Sequence, residues 1–107
     1  MATNAELLTQ LGATMAPALT IYGPALARMA GEEFTAWKAL VDQLDYDAAK
    51  HALHSRMTLD EMAAEKEALT PMFQAMVERH YANVQTLKDA GLMVLKALAS
   101  VVLTAML

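Results

Sequence analysis

"PMFQAMVERHYANVQTLKDAGLMVLKALASVVLTAML", residues 71 to 107, decides the fold. Phe73, Val77, His80, Val84, Leu87, Gly91, Val94, Leu98, Val101 and Ala105 follow one another in steps of four and three without a slip, the spacing of one face of an α-helix. Read as continuous, the stretch makes a helix of about 55 Å at 1.5 Å per residue. A compact domain of this size has a radius of gyration of only about 13 Å. Either the chain breaks near Asp89-Ala90-Gly91, or the helix leaves the bundle and is covered by a second copy. Unbroken phase across Gly91 favours the second arrangement. It makes Phe73, Val77, His80, Val84, Leu87, Val94, Leu98 and Val101 the expected self-association seam.

The end of that stretch, from Gly91 onward, carries Lys96 as its one charge, and apolar side chains fall on every side of its wheel. Such a helix is buried all round. A transmembrane span would place Lys96 near its middle at about 2.5 to 3.5 kcal/mol, and a lipid-surface helix needs a basic face that is missing here. Burial against protein is therefore expected over a membrane anchor or a lipid- or granule-surface helix.

Upstream, Thr3-Asn4-Ala5-Glu6 has the form of a capping box, and Leu8, Leu11, Met15, Leu19, Tyr22, Leu26 and Met29 run on in helical phase. Pro17 and Pro24 each remove an intrahelical hydrogen bond, which predicts two helices with a break near Pro17 and a kink at Gly23-Pro24. Gly31 closes that segment. Phe34, Trp37, Val41 and Leu44 give the next helix its apolar face, and Asp45 or Asp47 caps a short helix carrying His51 and His54. Thr58-Leu59-Asp60-Glu61 is a second capping box, and Thr70-Pro71 can restart a helix with proline in its first turn.

Composition agrees. Alanine, leucine and methionine dominate, glycine is scarce, and the β-branched and aromatic residues that favour strands are few. Residues 1–107 are expected to form a single all-helical domain, a small bundle with a long C-terminal helix completed by oligomerisation. Zero cysteines exclude disulfides, thiolate metal sites and cysteine nucleophiles. Net charge is −4 with no basic patch, which argues against nucleic acid as a partner. The opening residues lack a basic segment followed by an apolar run, so a cytoplasmic location is expected.

Asp47, His51, His54, Glu61 and Glu65 fall in one stripe if residues 45–69 form one helix. They do not. Apolar side chains before Thr58 centre at roughly 240° on the wheel and those after it at roughly 100°, a phase jump that coincides with the capping box. What remains is Asp47, His51 and His54 on a short helix, a face suited to a transition metal or to exposed polar surface, with surface favoured. Glu61, Glu65 and Glu67, with Lys66, read as a solvated cluster. His80 is expected as a satisfied core histidine, the sharper alternative being a metal or haem ligand with Met76 one turn before it. No Glu-x-x-His motif of the di-iron bundles, no Gly-rich phosphate loop and no nucleophile elbow is present. The expected function is thus non-enzymatic: an assembly subunit, adaptor or regulatory partner acting as a homodimer, with a metal- or haem-binding bundle and a lipid-surface binder as alternatives. No cofactor is expected on the first reading.

Overall fold

The computed structural model describes residues 3–106. Helix α1 spans Asn4–Arg28, α2 Gly31–Asp42 and α3 Tyr46–His54. Helices α4 (Leu59–Ala64) and α5 (Thr70–Arg79) are joined through a π-helical turn, Glu65–Leu69, into one uninterrupted rod over residues 59–79, and α6 spans Leu87–Met106. Counting the rod once, five helices and no strand make up the described residues.

Helix α1 does not break at Pro17. Proline removes the bond to the carbonyl four residues earlier, which here means Ala13 for Pro17 and Thr20 for Pro24. Both of those residues are exposed, so water can take the place of the lost donors. The two prolines are seven residues apart and spend their defects on a single outer stripe, while Ala18, Ile21, Tyr22, Ala25 and Leu26 face the core. Thr3 caps the helix, its Oγ1 accepting the Glu6 N–H at 3.1 Å.

Extended backbone at Met29 and Ala30 turns the chain into α2, whose N-cap Ala30 offers no side-chain hydrogen bond. Helix α2 ends in a left-handed cap built on Leu44 (φ 61°) rather than on glycine. The Leu44 N–H reaches the Val41 carbonyl and the Asp45 N–H reaches Leu40, each at 3.0 Å, the paired bonds of a Schellman ending. Asp45 then caps α3 through its Oδ1 and the Ala48 N–H.

The expected break at Met57-Thr58 is present. Thr58 Oγ1 accepts the Glu61 N–H at 3.1 Å and Glu61 Oε1 accepts the Thr58 N–H at 2.9 Å, a complete capping box. Pro71 does not open a separate helix. It lies in the first turn of α5 just after the π turn, where the Thr70 N–H reaches back five residues to the Glu65 carbonyl. A proline ring inside a regular helix collides with the carbonyl four residues before it, and the wider π turn gives the Glu67 carbonyl room to move aside.

Residues 71–107 are not one helix, which corrects the reading of unbroken phase. Helix α5 stops at His80, whose backbone leaves the helical region (φ −125°, ψ 39°) and whose carbonyl accepts the N–H groups of Asn83 and Val84. Helix α6 then starts behind Thr86, whose Oγ1 accepts the Asp89 N–H at 3.0 Å. The break lies at residues 80–86, not at Gly91. Its consequence is a bundle with a radius of gyration of 13.3 Å and a longest dimension of 41 Å, too short to hold a helix of about 55 Å. Helix α6 packs against α1, α2 and α5. Trp37, Tyr22, Leu53, Leu69, Met76, Leu95 and Leu98 fill the interior, and the Trp37 Nε1–H donates to the Ala49 carbonyl.

Candidate functional site

The three residues of the α3 polar face go separate ways. Asp47 is exposed and pairs with Lys88 of α6 at 2.9 Å; His51 is exposed; His54 turns toward the interior, where its Nε2 lies 2.8 Å from Glu65 Oε1. Among the described residues no three His, Asp or Glu side chains converge to hold a metal ion.

Glu65 is the larger surprise. Lys66 and Glu67 are exposed as a solvated cluster requires, and Glu61 pairs with Arg28 at 2.6 Å, but Glu65 is 7% exposed. The π turn delivers it into a knot of side chains from three helices. Its Oε2 accepts the hydroxyl of Tyr22 from α1 and faces Lys50 Nζ of α3 at 2.5 Å. Lys50 also donates to the hydroxyls of Tyr46 (3.2 Å) and Tyr22 (3.3 Å), so all three of its N–H donors have partners. Burial pushes the Glu65 carboxyl up, but the hydrogen bonds and charge of Lys50 and the Tyr22 hydroxyl outweigh it and hold the group below its usual range. The Tyr22 phenol is pushed far up by burial and then by the adjoining carboxylate. Tyr46 in turn lies so close to α6 that a Cβ on Gly91 would stand 2.3 Å from its ring. This knot fastens α1, α3, the rod and α6 together, with the Glu65 carboxylate and the Lys50 ammonium both engaged.

Of the expected seam, Phe73, His80, Val84, Val94 and Leu98 are buried within the single chain, Val77 is half-buried, and Leu87 and Val101 are exposed. One of the openings the fold leaves is an apolar groove of about 460 Å³ between the second half of α1 and the end of α6. Leu26 and Phe34 line its depth; Leu19, Val101, Val102 and Ala105 line its sides, and no charged side chain takes part. Leu19 and Val101 are 44% and 47% exposed, whereas Leu103 lines a separate opening with Glu32, Thr35 and Lys38 of α2. Among the described residues no helix is long and apolar enough to cross a membrane.

Compared with known protein families, curated proteins and solved structures, the chain matches none.

Sequence reasoning singled out Val101 but not Leu19 or Phe34 as its neighbours, because the pairing of α1 with the end of α6 is a long-range contact without a local sign. Glu65 had one. It stands four residues before Leu69 and eight before Phe73, on the apolar stripe of its own helix.

Proposed function

We propose that this chain is a non-enzymatic interaction protein that self-associates as a homodimer through the groove between α1 and the end of α6, acting as an assembly or adaptor subunit. The observation that carries this reading is the uncharged groove with Leu19 and Val101 exposed along it. From Ala97 to Ala105 the helix carries no charge, and exposed Leu19 and Val101 form an apolar ridge along the groove. A two-fold axis there brings the ridge of one copy into the groove of the other, the self-complementary arrangement of most homodimers. Stable interfaces of this kind cover about 800 Å² per partner, more than the groove alone, so the exposed turns of α1 and α6 join it. The charge balance of −4 and the absence of a basic patch argue against nucleic acid as the partner.

Light scattering of the purified chain tests the reading. A dimer is expected at micromolar concentration, and Val101→Asp, which puts a carboxylate into the apolar contact at an already exposed position, shifts it to monomer. A wild-type chain that stays monomeric at high micromolar concentration, or a Val101→Asp variant that dimerises as before, overturns it.

A further inference from the structure

A second cleft, remote from the groove, opens between the first turns of α1 and the end of α5. It encloses about 770 Å³ and is lined by Glu6 and Thr9 on one side and by Glu78, Arg79, His80 and Tyr81 on the other. His80 is 2% exposed, and its Nδ1 has no hydrogen-bond partner among the described residues. Folded proteins leave few buried polar atoms in that state, and each one calls for a physical reason. We propose that this cleft binds a small organic amine in its protonated form, which donates an N–H to His80 Nδ1 and places its positive charge between Glu6 and Glu78.

The charges favour a cation. Two carboxylates face one guanidinium, a lining balance of −1, and among the described residues neither Glu6, Glu78 nor Arg79 enters an ion pair. The positive end of α1 and the negative end of α5 both border the cleft and offset one another. The chain as a whole is negative and draws cations toward it. A metal ion fits poorly, since no three His, Asp or Glu side chains converge on one point. The acceptors are instead spread around a cleft of molecular size, which suits a cation with its charge on two or more nitrogens joined by methylenes, a diamine or polyamine. Tyr81, 65% exposed, offers its ring to those methylenes. Nδ1 is closed to water in the free chain, so binding includes a movement of the side chains that cover it.

Titration of the ¹⁵N-labelled full chain with spermidine, followed through the His80 ring nitrogens by long-range ¹H–¹⁵N NMR, tests this. A saturable shift of Nδ1 is expected that neither Mg²⁺ nor inorganic phosphate reproduces. The double variant Glu6→Gln, Glu78→Gln changes two exposed side chains and keeps the fold, and it should weaken the apparent Kd about tenfold or more. No saturable response into the millimolar range overturns the proposal. So does an equal response to Mg²⁺ or phosphate, an unchanged Kd in the double variant, or an Nδ1 already hydrogen-bonded in the amine-free chain.

Discussion

At the scale of single residues, Gly91 and Glu65 carry more of the fold than their types suggest. Gly91 reads as one more step of an apolar stripe, but its role is steric: Tyr46 occupies the space where any other residue keeps its Cβ. Gly91→Ala is expected to destabilise the chain by about 2 kcal/mol, because a ring fixed at its hydroxyl by Lys50 has to shift. Urea unfolding measures it, and an unchanged midpoint means that Tyr46 moves without cost. Glu65→Leu removes the one carboxylate facing the half-buried Lys50 and should cost about 3 kcal/mol, whereas the exposed Glu67→Leu should lie within about 0.5 kcal/mol of wild type. Equal effects at the two positions would show that the knot contributes nothing. Neither role follows from residue type. Glycine on a helix and glutamate between Ala64 and Lys66 are ordinary locally, and only the partners brought by α1 and α3 give them their tasks.

At the scale of elements, the caps account for where helices begin. Thr3, Asp45, Thr58 and Thr86 each accept a backbone N–H near the start of a helix, and the first three can be read directly from the chain. Thr86-Leu87-Lys88-Asp89 has the same form, a hydroxyl followed three residues later by an acid. Its signal is masked by phase: residues 80–86 leave and rejoin helical geometry with Val84 and Leu87 still in step, so periodicity alone reports continuity where a capped start reports a break. Thr86→Ala should lower stability by about 1 kcal/mol. Ala30→Ser supplies α2 with the cap it lacks, at a position already in extended conformation, and should raise stability by a similar amount. Thermal melts of the two variants should move in opposite directions; a shared direction removes capping as the explanation. The prolines of α1 mislead for a different reason. Proline weakens a helix where nothing else supports it, and here the buried stripe from Ala18 to Leu26 supports it.

At the scale of the whole molecule, acid is the condition that loosens the bundle. Arg56 holds Glu33 below its usual range, Arg28 holds Glu61 down to about 2, and Lys50 with Tyr22 holds Glu65 low against the opposing effect of burial. A carboxylate with a lowered folded value stabilises the fold fully above its unfolded value and loses that contribution as pH falls through the folded one. Stability should therefore be level near neutrality, begin to fall below about pH 5 and go on falling toward pH 2. Melting temperature against pH checks the sign, and a rise on acidification would contradict it. The proposed self-association predicts a second dependence: the melting temperature of the wild type should climb with protein concentration while that of Val101→Asp stays constant. The all-helical class was legible from composition and period. The order of contacts was not, since a stripe of alanine, leucine and methionine specifies that a face is covered without specifying by which helix. The π turn between α4 and α5 bears on the tolerance of the chain to changes in length as well as on its packing. A π turn holds one residue more than the regular turn it replaces, so a residue can be lost there with the helix on either side left in phase. A chain shortened by Lys66 or Glu67, both on the exposed side, would keep Phe73 and Met76 facing inward; this rod has one place where its length can vary without turning its core face away.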